Sequence, residues 1–267
     1  MLYFRMLGKL EIQGRWTVAE PATPKIAGVL ALFLCCPNQI VSTSAIMEDL
    51  WGEHAPKSAS ATTHTYIYRL RRLLQELDPI DCTEDFPLET RAPGYVLHVD
   101  EAQVDAFEFT RWAEEGRRLG EQGLVDEAVV ALHRAIHLWR GQALTNVTCG
   151  QVVQAHVAHL HESFIRTREL HIQAMFELGR HDEMISELTM LAAKHPLNEW
   201  IHGRLMEALF SCGRRSDAQM IYRRIRARLA EELGIDPSPD LQQLVATAPD
   251  EPHRLPDPVV QSHTDAS

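Results

Sequence analysis

The sequence predicts an α+β domain followed by an all-α domain. Residues 1–99 combine short strand-like segments with amphipathic helices and end in two extended segments around a Pro-Gly turn. Residues 100–246 show helical periodicity that is interrupted by glycine turns, while residues 247–267 are rich in proline, acidic and polar residues. These three observations divide the chain into an N-terminal domain, a helical repeat domain and a disordered tail.

The order of elements in residues 1–99 is the most specific indication of fold. Short strands surround Gly8, and the apolar run 26–36 predicts a buried helix that is too short to cross a bilayer, which takes about 20 residues. Ser42 supplies a hydroxyl cap for a second helix, and residues 52–56 connect that helix to a third at 58–76. Residues 88–99 predict a β-hairpin. Three helices followed by a hairpin is the order of a winged helix-turn-helix domain.

The third helix has two chemically different faces. Thr63, Ile67, Leu70 and Leu74 share one stripe and are predicted to pack on the core. The opposite side carries hydroxyl, phenol and guanidinium groups, which suit phosphates and base edges because they donate hydrogen bonds. These residues are Thr62, Tyr66, Arg69 and Arg72, flanked by Tyr68 and Arg71. An ordinary amphipathic helix with a solvated basic face would show the same pattern, so this helix alone does not establish nucleic-acid binding.

Charge is distributed unevenly along the chain. Residues 1–99 hold nine Lys/Arg and eleven Asp/Glu, a net charge of -2, so residues 100–267 carry -9 of the total of -11. If this mildly acidic domain binds DNA, it has few cations to gather on one surface, and three of the nine lie at Arg69, Arg71 and Arg72. Binding by one copy is therefore expected to be modest and salt-sensitive, which favours cooperation with a second copy or a protein partner.

The second domain shows a repeating turn. A glycine followed by an acidic first turn of helix occurs at Gly123, Gly179 and Gly213, and the last two lie 34 residues apart, the period of a tetratricopeptide repeat. Residues 139–151 predict a loop between helical pairs, and Pro196 predicts the start of another helix. Such repeats leave a curved surface for partners.

Several other classes of protein are disfavoured. His133 and His137 have the spacing of two metal ligands, but no glutamate or cysteine pair supports them, so no metal site and no cofactor are expected. The chain lacks a Gly-rich phosphate loop and a nucleophile elbow, which argues against an enzyme. The five cysteines show no Cys-x-x-Cys spacing, and with the lack of a membrane-spanning stretch they indicate a cytoplasmic protein with reduced thiols and no membrane partner.

Specific motifs then resemble a known family. Residues 50–52, 66–72 and 91–95 are similar to an OmpR-type winged helix, and more narrowly to that of the Streptomyces antibiotic regulatory proteins (SARPs). Val104-Asp105 and the segment 138–141 resemble the start of the bacterial transcriptional activation domain of this family, and residues 232–241 resemble its end. The resemblance covers about residues 1–246. It implies domains at 1–99 and 100–246, with the tail at 247–267.

The resemblance implies a transcriptional activator of a secondary-metabolite (antibiotic) gene cluster that binds direct repeats in promoter DNA. Together with the helix pattern, it predicts the following DNA contacts: Lys57, Thr62, Tyr66, Tyr68, Arg69, Arg71, Arg72 and Arg91. Glu53 and His54, in the loop before the third helix, are predicted to contact RNA polymerase holoenzyme, through its sigma factor. The alpha C-terminal domain, the beta subunit and a second copy of the chain are further expected partners. The alternative is a tetratricopeptide-type signalling scaffold whose winged helix mediates protein contacts.

Overall fold

The computed structural model describes residues 1–79 and 87–247 of the chain. Their packing forms two compact units that divide after Ala174. Apart from Thr247, the predicted disordered tail lies outside the described residues, as do residues 80–86. Within the described ranges, no helix combines the length and apolarity needed to cross a membrane.

The first unit begins with a small antiparallel sheet. Strands β1 (Tyr3–Arg5), β2 (Glu11–Gln13) and β3 (Val18–Ala19) pair in the order β1-β2-β3. Phe4 lies opposite Ile12, and both side chains are fully buried. Their neighbours along each strand are only half-buried, because successive side chains of a strand point to opposite faces.

Three helices follow the sheet: α1 (Pro24–Cys35), α2 (Thr43–Trp51) and α3 (Ala59–Leu77). The predicted cap of α2 is confirmed, since the Ser42 hydroxyl accepts a hydrogen bond of 3.0 Å from the Ala45 N–H. Gly52 ends α2 with φ +55°, and a short 3-10 helix, Gly52–His54, leads towards α3. α1 packs against both α2 and α3 in one apolar core.

A second sheet completes the winged helix. β4 (Val41–Ser42), β5 (Leu88–Arg91) and β6 (Gly94–Leu97) pair in the order β4-β6-β5, with Leu88 opposite Leu97 in the predicted hairpin. The hairpin needs glycine at position 94, because a Cβ there would lie 1.9 Å from the carbonyl oxygen of Val41. The sequence-predicted order of helices and hairpin is confirmed.

The rest of the chain is helical, as predicted. Its elements are α4 (Asp105–Glu121), α5 (Val125–His137), α6 (Gln151–Glu177), α7 (His181–Lys194), α8 (Glu199–Ser211), α9 (Arg215–Leu233) and α10 (Pro239–Ala246). Gly123, Gly179 and Gly213 join consecutive helices with φ of +75°, +71° and +72°, the left-handed conformation that favours glycine. The helix predicted to start at Pro196 begins instead at Glu199, because the Asn198 side chain caps it by accepting the Ile201 N–H at 3.1 Å.

A buried carboxylate connects the first sheet to the helices within the first unit. Asp105, only 2% exposed, accepts hydrogen bonds from the backbone N–H groups of Met6 (2.8 Å) and Leu7 (3.1 Å). The Arg140 guanidinium lies 3.4 Å from the same carboxylate and 2.7 Å from that of Glu11. Burial raises the pKa of Asp105, while the two N–H groups and Arg140 act to lower it. The packing of this unit therefore continues across residues 99 and 100, where the sequence predicts a domain boundary.

Candidate nucleic-acid interface

Helix α3 has one face that packs on the core and an opposite face that is exposed to solvent. The predicted stripe of Thr63, Ile67, Leu70 and Leu74 is buried, and Leu77 extends it by one turn. Thr63 is accommodated in this core because its hydroxyl donates to the Ala59 carbonyl oxygen at 2.9 Å. The stripe fixes which side of the helix faces outward.

The centre of the outward face lies on a line that the sequence analysis only partly identified. Ala61, Thr65, Tyr68 and Arg72 follow one another at helical spacing, and all four are exposed. Thr65 was missed, although it is two residues from both Thr63 and Ile67, a spacing that points away from the core on a helix. Tyr68 is 66% exposed and presents its phenol to solvent.

Arg69 lies beside this line, and its guanidinium has no described partner. Its side chain is exposed, and it has no hydrogen bond or ion pair with any residue that the structure describes. Arg72, three residues after Arg69, forms an ion pair with Glu76 through its Nε at 2.9 Å. The Arg69 guanidinium is therefore available to an outside acceptor without breaking an existing contact.

One flank of α3 is tied to α2. The Tyr66 ring is half-buried and stacks on Trp51, with ring centroids 6.2 Å apart and an angle of 23° between the planes. The ammonium of Lys25, on α1, lies 5.5 Å from the centre of the Trp51 ring, on α2. Thr62 is half-buried on the same flank. Tyr66 thus fixes the angle between the two helices of the helix-turn-helix unit in addition to its predicted role.

The other flank is tied to the hairpin. Arg71 donates from Nε to the Leu88 carbonyl oxygen at 2.9 Å and from Nη2 to the Thr90 hydroxyl at 2.8 Å. Its guanidinium also lies 5.7 Å from the centre of the Tyr95 ring. The Tyr95 hydroxyl is hydrogen-bonded to His64 Nδ1 at 2.6 Å. His64 and Arg71 are seven residues apart on α3, and together they hold the hairpin against it.

The remaining predicted contacts lie in exposed segments around α3. Lys57 precedes the helix, Arg91 ends strand β5 at the hairpin turn, and both side chains are exposed. Glu53 and His54 are exposed in the 3-10 helix between α2 and α3. The structure brings Arg71 into contact with the hairpin that carries Arg91, and it leaves Glu53 and His54 in the connecting loop.

The histidine pair considered as a metal site is exposed on α5. The His133 and His137 rings lie 4.2 Å apart, and His133 lies 5.7 Å from the ring of His171. Within residues 1–79 and 87–247, no group of three or more His, Cys, Asp or Glu side chains is arranged to hold a metal ion.

Comparison with known proteins identifies two families along the chain. Residues 20–97 match the model of the transcriptional regulatory protein C-terminal domain, and residues 104–247 match the bacterial transcriptional activator domain. Both describe transcriptional regulators, and neither indicates an enzyme.

Individual relatives agree with these family matches. The chain is 35% identical to the regulatory protein DnrI of Streptomyces peucetius over 91% of this chain and 90% of DnrI. It is 32% identical to the regulatory protein AfsR of Streptomyces coelicolor over 91% of this chain but 24% of AfsR. The solved structure of Mycobacterium tuberculosis EmbR, in complex with a low-affinity phosphopeptide, superposes with a TM-score of 0.80 at 32% identity, over 92% of this chain and 64% of that one.

The first matched range includes helix α3 and the hairpin, and the second includes Asp105. One family model covers more than half of the chain, and DnrI aligns over nearly its whole length. The chain belongs to the Streptomyces antibiotic regulatory protein family of transcriptional activators, with an OmpR-type winged-helix domain and a bacterial transcriptional activator domain.

Proposed function

We propose that the chain activates a secondary-metabolite (antibiotic) biosynthetic gene cluster by placing α3 in the major groove of promoter DNA that carries direct repeats. The observation that carries this proposal is the exposed, uncommitted guanidinium of Arg69 beside the outward line of α3. A guanidinium can donate two hydrogen bonds to a guanine, the commonest specific contact in the major groove. Thr62, Tyr66 and Arg72 neighbour Arg69, and we add Thr65 to the residues that reach base edges.

Contacts to the DNA backbone are assigned to the flanks of the helix. Lys57, Tyr68 and Arg91 are exposed donors and are proposed to bind phosphates, which position a protein without reading sequence. Arg71 donates to the hairpin from two of its nitrogens, so its contribution to DNA binding comes in large part from holding the hairpin that carries Arg91.

A pair of copies on adjacent direct repeats follows from the charge of the reading domain. Residues 1–99 have a net charge of -2, so one copy gains little from general attraction to DNA. Binding of a second copy supplies additional phosphate contacts and raises occupancy of both repeats. The head-to-tail arrangement follows from the family.

The loop between α2 and α3 is proposed to contact RNA polymerase. Glu53 and His54 are exposed there, and the loop precedes the DNA-reading helix without belonging to it. A basic surface of the sigma factor is the expected partner of Glu53, since charges at the rim of an interface steer orientation and encounter. The alpha C-terminal domain and the beta subunit are the other proposed contacts of the bound activator.

Footprinting on a promoter with two direct repeats tests the DNA contact. Arg69→Ala is expected to lose about 1–3 kcal/mol of discrimination between the repeat and unrelated DNA. Arg118→Ala is the matched control, because it removes the same charge from an exposed helix position where the arginine is already paired with Glu115 at 2.7 Å. A footprint of Arg69→Ala that matches those of the control and the wild type would show that the reading face is assigned incorrectly.

The same template tests activation and the alternative function. Glu53→Lys is expected to keep the footprint and lower transcription by purified polymerase, because loop residues contribute little to core packing. Parallel loss of footprint and transcription would show that the loop is structural. A protein that acts only as a scaffold would give no salt-dependent mobility shift on the repeats.

A further inference from the structure

Helix α9 carries a concentration of positive charge in an acidic chain. Residues 218–230 contain four arginines and no aspartate or glutamate, while the whole chain has a net charge of -11. The buried side of α9 consists of Ala218, Ile225 and Leu229, and α9 packs against α8. All four arginines, Arg223, Arg224, Arg226 and Arg228, are exposed.

The four arginines of residues 218–230 have few close carboxylates. Arg223 and Arg224 have no ion pair among the described residues, and Arg226 and Arg228 reach carboxylates only at 4.0 Å and 3.8 Å. Arg180, in the same compact unit, pairs with a carboxylate at 2.6 Å. Arg223 and Arg226 are three residues apart and Arg224 and Arg228 four, so like charges are neighbours on the helix and destabilise it.

A buried histidine of the same unit interacts electrostatically with two of these arginines. His202 on α8 is 5% exposed, and its Nδ1 is hydrogen-bonded to the Asn198 carbonyl oxygen at 2.9 Å. Burial lowers the pKa of His202, and the charges of Arg228 and Arg224 lower it further. Two of the four arginines thus act on a group in the interior of the unit while their own side chains are exposed.

Apolar side chains lie among the arginines. Met220 is 55% exposed and is one helical turn before Arg223 and Arg224, and Tyr222 is half-buried beside them. Arginine, methionine and tyrosine are the residue types enriched in protein–protein interfaces. A polar end to a helical repeat would need only hydrophilic residues of mixed sign, whereas residues 218–230 present one sign of charge together with an exposed methionine and a half-buried tyrosine ring.

We propose that the exposed face of α9 (Met220, Arg223, Arg224, Arg226 and Arg228) is a docking surface for an acidic protein segment that also carries apolar side chains. Carboxylates of the partner would pair with the guanidiniums, and its apolar side chains would cover Met220. The apolar component favours a protein over the phosphate backbone of a nucleic acid. This surface contains none of the residues proposed to contact DNA or polymerase, so it stands independently of them.

A fluorescently labelled amphipathic peptide of glutamates and leucines serves as the probe for the full-length protein. At physiological salt, Arg223→Ala with Arg224→Ala is expected to weaken peptide binding about tenfold. Arg117→Ala with Arg118→Ala is the matched control: it removes two adjacent arginines, Arg117 half-buried and Arg118 exposed, that are already paired with Glu114 and Glu115. The control is expected to bind within about twofold of the wild type.

Further variants and a DNA competitor decide whether weaker peptide binding reflects the α9 surface or only the overall charge of the protein. Arg223→Lys with Arg224→Lys keeps the charge and should retain most of the binding, while hydrogen exchange in α8 and α9 of these variants should match that of the wild type and show that the second unit folds. Equal weakening by the α4 control would reduce the effect to overall charge and overturn the proposal. Absence of peptide binding by the wild type, or displacement of the peptide by a short duplex of unrelated sequence, would also overturn it.

Discussion

Both compact units pack their helices through apolar side chains, and they differ in the polar contacts that are added to this packing. The first uses buried polar contacts between residues far apart in sequence: Asp105 binds the backbone of Met6 and Leu7, and the Asn146 side chain accepts the Leu10 N–H at 2.6 Å. The second uses apolar packing between consecutive helices, with ion pairs three residues apart on the surface, such as Arg214 with Asp217 at 2.7 Å.

This difference follows from what each unit has to hold. The first contains a sheet, a long loop and a hairpin, whose backbone groups need partners that a repeating helix pattern does not provide. Asp49 illustrates this: it lies on α2, and its carboxylate accepts the Val152 N–H at 3.1 Å, near the start of α6. In the second unit, most backbone groups are paired within the helices, although the Ser238 N–H donates to the Glu199 carboxylate of α8 at 2.6 Å. We therefore expect single polar substitutions to be costly in the first unit and mild in the second.

The largest effect is expected at Asp105. Asp105→Ala leaves two buried N–H groups without acceptors and removes a partner of Arg140, so it should lower the free energy of unfolding by about 2–4 kcal/mol. Asp217→Ala breaks a surface ion pair in the second unit and should cost less than about 1 kcal/mol. Urea unfolding, monitored by hydrogen exchange in each unit, measures the change in the free energy of unfolding for both variants. Equal costs would remove the distinction between the units.

An intermediate effect is expected where α3 meets the hairpin. Arg71→Ala removes two hydrogen bonds and should destabilise the first unit by about 1–2 kcal/mol, with faster hydrogen exchange in β5 and β6. Arg72→Ala loses only its exposed pair with Glu76, at an expected cost below about 0.5 kcal/mol. Both substitutions lie in α3, so a difference between them must come from the kind of contact that is lost and not from the unit that contains it. Unchanged exchange in the hairpin of Arg71→Ala would mean that these bonds do not hold it.

The sequence was most informative where a feature depends on near neighbours. The buried stripe of α3, the Ser42 cap and the glycine turns at 123, 179 and 213 were all predicted, because helix periodicity and capping act within a few residues. The predicted start of α8 at Pro196 is three residues too early, because the Asn198 side chain and not the proline caps the helix.

Features that depend on distant residues were not predicted. Nothing near Asp105 in sequence indicates that it binds the backbone of residues 6 and 7, and the bond between His64 and Tyr95 spans 31 positions. Arg71 was predicted only as a DNA contact, since its hydrogen bonds to the hairpin depend on tertiary structure. The residues proposed to contact DNA and polymerase remain predictions, since a site for an outside partner is defined by the partner as well as by the fold.

The smallest effect is expected from His202, a buried titratable group of the second unit. Because burial lowers its pKa below the ordinary value of 6.5, the unfolded chain takes up a proton at a higher pH than the folded one. The stability that depends on neutral His202 is therefore fully present above about pH 6.5 and is lost as the pH falls towards the lower folded pKa. Thermal unfolding of the second unit between about pH 5 and pH 7 should show this slope, and His202→Gln should flatten it. A slope of the same size in His202→Gln would show that other groups cause the pH dependence. The stability of the second unit would then not depend on the protonation of His202.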